Sequence, residues 1–168
     1  MAAPPGEGVW RLDGRVALVS GASSGLGARF VRVLHLAGAY VVATARRGDR
    51  LDELGRELGD RFEAVSGDIA DGAHRLALVR RSGDIGRLDV LVNNAGICDD
   101  GPIEEQSLSD LVRVVEVNLV SVLDACHDLI DEYGLYIHPT VIGPGRPMLR
   151  PASRPIRGPT RGARSPVR

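Results

Sequence analysis

The sequence predicts an α/β fold: an incomplete, doubly wound parallel sheet of about four strands, followed by a disordered C-terminal tail. Three observations support this fold class. Short β-branched runs alternate with amphipathic helical segments. Strand runs that are apolar throughout are typical of parallel strands that are covered on both faces. A glycine-rich turn joins the first strand to the first helix, as expected where a backbone must approach another group closely.

The first two strand–helix units follow directly from this pattern. Arg15–Ser20 is a short β-branched run that predicts the first strand. A helix with apolar residues at helical spacing comes next, and Gly38 ends it. Tyr40–Ala45 predicts the second strand, and a second helix carries leucines over Leu51–Leu58. The apolar positions of the first helix are Leu26, Phe30, Val33, Leu34 and Ala37.

Two further units complete the predicted sheet. Phe62–Ser66 predicts the third strand, and the spacing of apolar residues over Leu76–Ile85 predicts the third helix. Leu88–Asn93 predicts the fourth strand. A long helix from about Leu108 to Glu132 ends the ordered part of the chain.

The composition divides the chain into a flexible N-terminus, one domain and a tail. A length of 168 residues with 43% apolar residues suffices for one domain and not for two. Residues 1–9 are predicted to be the flexible segment, and residues 10–135 are predicted to form the domain. Residues 139–168 contain seven arginines, seven prolines and no acid, for a charge of +7 against −8 in the rest. Because proline interrupts helix and sheet hydrogen bonding, we expect this tail to be disordered.

The composition also excludes several classes of protein. All 21 basic residues are arginine, so this sequence cannot support chemistry that needs a lysine amine. No run of 18 apolar residues is present, and the first residues lack the features of a signal peptide, so no membrane contact is expected. Cys98 and Cys126 allow at most one disulfide, and the histidines lack ligand spacing, so no metal site is expected. A cytoplasmic protein is therefore predicted.

The turn after the first strand has the composition of a phosphate-binding loop. It reads Gly21-Ala-Ser-Ser-Gly25-Leu-Gly27 and opens a helix. Glycines let the backbone approach a pyrophosphate, whose charge is met by free N–H groups at the start of the helix. The spacing differs from G-x-G-x-x-G. On this motif alone, a tight turn that binds nothing remains the alternative.

Four motifs together resemble the short-chain dehydrogenase/reductase family. They are Ser20–Gly27 (SGASSGLG), Gly67–Ile69 (GDI), Asn93–Gly96 (NNAG) and Val117–Leu119 (VNL), in the family's order, within about residues 10–132. The resemblance implies a Rossmann-type fold and a nicotinamide dinucleotide cofactor. It assigns cofactor binding to Gly21, Ser23, Ser24, Gly25, Leu26, Gly27, Asp68, Ile69, Asn93, Asn94, Ala95 and Gly96.

Within this set, the resemblance gives particular roles to the second and third motifs. It implies that Asp68 holds the adenine amino group, with Ile69 beside it. It also implies that Asn93–Gly96 caps the fourth strand and lines the nucleotide pocket. Bracing of the central strand by hydrogen bonds is the structural alternative for these residues, and it is compatible with cofactor binding.

The end of the second strand bears on the choice between NAD and NADP. A domain that prefers NAD places a carboxylate there to bind the ribose 2′-hydroxyl. This sequence has Ala45 at that position, followed by Arg46 and Arg47. Because a guanidinium binds phosphate with its planar fork, we predict NADP rather than NAD, with Arg46 on the 2′-phosphate. A solvated surface arginine is the alternative for Arg46.

The family's catalytic residues are an Asn, a Ser, a Tyr and a Lys, and only the first has a match here. Asn118 matches the asparagine, which in the family bends the long helix and supports a water linked to the lysine. Tyr133 and Tyr136 have no basic residue four positions on, and the sequence contains no Tyr-x-x-x-Lys. A phenol with a pKa near 10 relays protons poorly at neutral pH without a neighbouring cation. We therefore expect no efficient carbonyl reduction from this chain as written.

The resemblance also implies strands and helices beyond those found here. Without them, Leu88–Asn93 becomes an unpaired sheet edge, and the long helix loses cover over Leu111, Val115, Leu119 and Leu123. We therefore expect self-association. Our hypothesis for the change in composition after about Glu132 is a shifted reading frame in GC-rich DNA. The alternative is a truncated paralogue whose tail has been selected.

Three functional hypotheses follow. The first is an NADP-dependent short-chain oxidoreductase by descent, which transfers hydride between NADP(H) and a carbonyl or secondary alcohol when complete. The second is a non-catalytic module that binds NADP(H) or a partner. The third is nucleic-acid binding by the arginine-rich tail, which is disfavoured because residues 139–168 contain no aromatic side chain for stacking on bases.

Overall fold

The computed structural model describes residues 11–98 and 101–133. All of them belong to the unit Met1–Ile137. The predicted flexible segment at residues 1–9 and the predicted tail at residues 139–168 lie outside the described residues.

A four-stranded parallel sheet forms the centre of the described domain. Its strands are β1 (Val16–Ser20), β2 (Tyr40–Ala45), β3 (Phe62–Ser66) and β4 (Leu88–Val92). They lie in the order β3-β2-β1-β4, so the chain passes from β1 to β2 and β3 and then crosses to β4 on the other side of β1. This arrangement confirms the predicted α/β fold class.

Helices follow each strand, as the apolar spacing predicts. Asp71 begins the third helix by accepting a hydrogen bond from the Ala73 N–H (2.9 Å), and Gly38 (φ 105°) lies just beyond the end of the first. The helices are α1 (Gly25–Leu36), α2 (Gly48–Leu58), α3 (Gly72–Ile85), α4 (Leu108–Val115) and α5 (Ser121–Tyr133). A 3₁₀ turn (Ile103–Glu105) precedes α4, and a π-helical stretch (Glu116–Val120) joins α4 to α5.

The two faces of the sheet carry separate cores because successive strand residues point to opposite sides. On one face, Ala17 and Val19 pack with Val31 of α1 and Leu51 of α2. On the other face, Leu18 packs with residues of α3 and α5, among them Leu78 and Leu129. Helices thus cover both faces of the sheet, which is the doubly wound arrangement.

The face of α1 that meets the sheet uses only part of the apolar set. Leu26, Phe30 and Val33 are exposed, whereas Ala28 and Val31 are buried and Leu34 packs against the core. Small side chains on the inner face allow the start of the helix to lie close to the end of β1. The apolar spacing predicted the helix correctly, but it did not assign the residues that face the sheet.

The predicted apolar stripe on the long helix is present. Val115, Leu119 and Leu123 are 51%, 54% and 60% exposed, while Leu111 is half-buried. β4 forms one edge of the described sheet, as expected for Leu88–Asn93.

Two kinds of feature are absent from the described residues. None of the helices there is long and apolar enough to cross a membrane. Within residues 11–98 and 101–133, no group of three or more His, Cys, Asp or Glu side chains could hold a metal ion.

Candidate functional site

A cavity of about 660 Å³ opens at the carboxyl ends of the strands. Eleven of the thirteen predicted cofactor-binding residues line it, and Gly25 and Asn93 are the two that do not. The eleven are Gly21, Ser23, Ser24, Leu26, Gly27, Arg46, Asp68, Ile69, Asn94, Ala95 and Gly96. Thr44, Ala45, Arg47, Gly67, Ile97 and Val117 complete the lining.

The glycine-rich turn packs too closely on its neighbours to carry side chains at two positions. A Cβ on Gly21, whose φ is +65°, would lie 2.7 Å from Ala95 Cα. A Cβ on Gly27 would lie 2.2 Å from the Gly21 carbonyl oxygen. Gly25 differs, because its φ is +54° but nothing lies within 4 Å of the Cβ position. The first and third glycines therefore serve close packing, and the second serves the backbone conformation.

Ser20 ties the end of β1 to the segment that follows β4. Its buried hydroxyl accepts hydrogen bonds from the Asn94 and Ala95 N–H groups, both at 3.0 Å, and donates to the Val92 carbonyl at 3.3 Å. The Asn94 side chain donates in turn to the Ser20 carbonyl at 3.0 Å and to the Gly21 carbonyl at 3.3 Å. Asn94 thus braces the central strands, which was the structural alternative for this motif.

Two arginines follow β2 at the cavity, and they do different things. Arg46 is exposed and lines the cavity. The Arg47 guanidinium donates to the hydroxyl groups of Ser23 (3.0 Å) and Ser24 (2.6 Å). Sequence reasoning chose Arg46 for the site and missed the contact of Arg47 with the glycine-rich turn. The pairing of two arginines directly after a strand was the available signal.

Asp68 also lines the cavity, between a backbone donor and a cation. Its Oδ1 accepts the Ala70 N–H at 3.0 Å, and its Oδ2 forms an ion pair with Arg113 of α4. Partial burial on its own raises the pKa of Asp68, but the Ala70 N–H and the Arg113 guanidinium outweigh it, so the pKa lies below its ordinary value. Arg46 also lowers this pKa. Asp68 is therefore held as a carboxylate.

The two other predicted asparagines do not line the cavity. The Asn93 amide nitrogen lies 3.8 Å from the Cys126 sulfur of α5. Asn118 lies in the π-helical stretch, where its side chain accepts from the Ile97 N–H at 2.9 Å and donates to the Ile97 carbonyl at 2.8 Å. This pair of hydrogen bonds fixes the chain beside Gly96 at the rim of the cavity.

A histidine that the sequence did not single out lies behind the cavity wall. The Nε2 of His74 is 2.8 Å from the Thr44 hydroxyl oxygen. A Cβ on Gly67 would lie 2.3 Å from the His74 ring, so the glycine makes room for the imidazole. Burial lowers the pKa of His74 below its ordinary value, although Asp71 and Asp68 partly oppose the shift. We therefore expect a neutral imidazole at neutral pH.

The sheet order, the glycine-rich turn and the cavity at the carboxyl ends of the strands define a dinucleotide-binding α/β domain. A family model described as short chain dehydrogenase matches residues 15–134. The chain belongs to the short-chain dehydrogenase family, whose members use a nicotinamide dinucleotide.

Curated relatives support the same assignment. Nodulation protein G of Rhizobium sp. (strain N33) is 39% identical over 122 residues, which cover 72% of this chain and 50% of the relative. The 3-alpha-(or 20-beta)-hydroxysteroid dehydrogenase of Mycobacterium tuberculosis (strain ATCC 25618 / H37Rv) is 44% identical over 117 residues, which cover 67% of this chain and 44% of the relative. The chain thus spans about half the length of the curated relatives it matches.

Solved structures of the family superpose on the described fold. A short-chain dehydrogenase/reductase described as a glucose/ribitol dehydrogenase, from Brucella melitensis, gives a TM-score of 0.70 at 26% identity, with 73% of this chain and 53% of that chain covered. A mutant short-chain dehydrogenase/reductase from Serratia marcescens gives 0.67 at 38% identity, with 71% and 51% covered. These likenesses confirm the Rossmann-type fold implied by the four motifs.

Proposed function

We propose that this chain is the nucleotide-binding part of an NADP-dependent short-chain oxidoreductase. The completed enzyme would transfer hydride between NADP(H) and a carbonyl or secondary alcohol. The observation that carries the proposal is the cavity of about 660 Å³, which runs from the glycine-rich turn to Asp68. Within the described residues Cys98 and Cys126 form no disulfide, in keeping with the cytoplasmic location that we also propose.

The residues around the cavity fit a dinucleotide. The start of α1 is available to an anion, because its N-cap Ser24 makes no side-chain capping hydrogen bond and its first turn contains no acid. Open space at Gly25 leaves room for a pyrophosphate against the backbone. Asp68, which is held as a carboxylate and lines the cavity, can accept a hydrogen bond from an adenine amino group.

The end of β2 favours NADP over NAD. Ala45 offers no carboxylate to a ribose 2′-hydroxyl, whereas Arg46 lines the cavity at that point. Arg47, already bonded to Ser23 and Ser24, adds a second guanidinium near the same place. Two planar cations and two hydroxyls form a suitable set of donors for a 2′-phosphate.

We infer that the chain as written binds the nucleotide without turning it over. Bound NADPH would supply the hydride, but the proton must come from a group that the protein tunes. The family's tyrosine depends for this on a lysine, and the sequence contains none. Asn118 is committed to the Ile97 main chain, so its contribution here is to fix the cavity rim.

The alternative is a non-catalytic module that binds NADP(H) or a partner. The exposed stripe of Val115, Leu119 and Leu123 favours a contact with another protein surface. We propose that a second copy of this chain covers it, which is the expected self-association. Binding of NADPH without turnover fits both hypotheses for this chain, so only a completed protein with reductase activity would separate them.

Titration with NADPH and NADH tests the cofactor assignment. Arg46→Ala should weaken NADPH binding by about tenfold, the worth of one charge-assisted hydrogen bond, and leave NADH binding unchanged. Gly25→Val should abolish binding of both, since it fills the space beside the backbone. Arg56→Ala, on the exposed last turn of α2, is the control and should change neither. Equal affinity of the unsubstituted chain for NADH and NADPH would contradict the NADP assignment.

A further inference from the structure

A buried arginine lies directly behind the cavity wall that Asp68 and Ile69 form. Arg75 of α3 is only 8% exposed, and it is the only charged residue that is buried among the described residues. Its guanidinium donates to the Ile69 carbonyl at 2.9 Å and to Asp124 of α5 at 2.6 Å. It therefore bridges the loop after β3 and a helix that lies 49 residues further along the chain.

A second carboxylate of α5 completes the cluster. Asp128, one helical turn beyond Asp124, lies 3.6 Å from Arg75 Nε. Neither Arg75 Nε nor the nearest Asp128 oxygen has a hydrogen-bond partner, and both atoms are buried. The two carboxylates thus hold the guanidinium by charge on one side. On its other side the guanidinium donates to the Ile69 main-chain carbonyl.

The position of that carbonyl matters to the site. Ile69 lines the cavity, and so does the carboxylate of Asp68 beside it. Asp68 has a second tether in Arg113, but both side chains of that pair are 36% exposed, where water screens an ion pair. The Asp124 side chain is 44% exposed, but that of Arg75 is only 9% exposed, so its hydrogen bond to the Ile69 carbonyl is better shielded from water and should dominate the placement of the loop.

We propose that Arg75 is a positioning residue for the adenosine end of the nucleotide site, held in place by Asp124 and Asp128. The proposal rests on the proposed function, because the adenosine end is defined by it. Loss of Arg75 frees the Ile69 carbonyl, and the loop at Gly67–Ala70 then samples other positions. Ligands that contact this loop bind more weakly, while the glycine-rich turn on the other side of β2 keeps its own contacts.

The test compares Arg75→Met with Arg81→Met in the full chain. Arg81 lies on the same helix, pairs with Glu63 and Asp84, and is 52% exposed, so it controls for loss of an α3 ion pair. Two quantities are measured while each variant is fully folded by circular dichroism: the Kd of 2′,5′-ADP, and hydrogen exchange in the free protein. We expect Arg75→Met to raise this Kd about tenfold and to speed exchange at residues 67–70 but not at residues 21–27.

The outcomes are separable. Wild-type Kd and wild-type exchange at residues 67–70 in Arg75→Met would overturn the proposal, and so would equal effects of Arg81→Met. Failure of the unsubstituted chain to bind 2′,5′-ADP would refute the proposed function, while the exchange measurement would still test Arg75. Should Arg75→Met fail to fold, Asp124→Asn keeps the arginine and one carboxylate. It should give the same pattern with a smaller change.

Discussion

Gly27→Ala should destabilise the domain far more than Gly25→Ala, although each substitution adds one methyl group to the same turn. The new Cβ at position 27 would lie 2.2 Å from the Gly21 carbonyl oxygen and 2.6 Å from the Asn94 amide nitrogen. The first neighbour is backbone and cannot rotate away. The second donates to the Ser20 and Gly21 carbonyls, so its displacement breaks two hydrogen bonds.

The magnitude follows from these contacts. Overpacking against backbone takes the upper end of the usual range, about 3 kcal/mol, and loss of the two Asn94 hydrogen bonds adds roughly 1–3 kcal/mol. Alanine in a helix returns about 1 kcal/mol relative to glycine, which leaves a net loss of roughly 3–5 kcal/mol. At Gly25 the Cβ meets nothing, and only the positive φ is penalised, by about 1–2 kcal/mol.

Urea denaturation followed by circular dichroism measures both values on the same protein. We expect the Gly27→Ala midpoint to fall well below that of Gly25→Ala, with equal m-values, since both variants unfold the same surface. Equal destabilisation by the two substitutions would refute the reasoning, because it would mean that α1 is not packed on the turn as described.

Three further outcomes are expected. Ser20→Ala should cost about 1–3 kcal/mol in urea denaturation, because it leaves two part-buried N–H groups without their acceptor, whereas Ser82→Ala, equally buried, loses only a bond to its own helix and should cost less than about 1 kcal/mol. Burial lowers the pKa of His74, so the folded state favours the neutral imidazole. The free energy of unfolding should fall as the pH drops below about 6.5, and His74→Gln should remove that part of the pH dependence. Equal pH dependence of the two proteins would contradict this reasoning. Leu119→Arg should reduce self-association in sedimentation velocity, and Val33→Arg, of similar exposure, should not.

The sequence predicted the elements of this fold closely because their signals are local. Arg15–Ser20 and Tyr40–Ala45 are short runs with two valines each, and the observed strands begin and end within one residue of them. The glycine-rich turn was equally readable, since φ > 0 and close packing restrict a position to glycine. The family motifs then placed ten site residues around one cavity, although they carry no information on which neighbour each side chain contacts.

What sequence reasoning missed depends on contacts between distant parts of the chain. The partners of Asp68 and Arg75 lie on α4 and α5, 45 and 49 residues away, and no local pattern marks them. The spacing of apolar residues predicted α1 but not the residues that face the sheet, where Ala28 and Val31 are buried and Leu34 packs against the core. Arg47 could not be separated from Arg46 by spacing, because only the turn beyond β2 decides which guanidinium reaches Ser24.

Contacts among the described strands and helices shape the proposed nucleotide site. Ser20 joins β1 to the segment after β4, Arg47 joins β2 to the glycine-rich turn, and Arg75 joins the loop after β3 to α5. None of these contacts depends on the exposed stripe of Val115, Leu119 and Leu123. Binding of the nucleotide and covering of that stripe are therefore separate properties, so substitutions in the stripe should alter association and leave the affinity for 2′,5′-ADP unchanged.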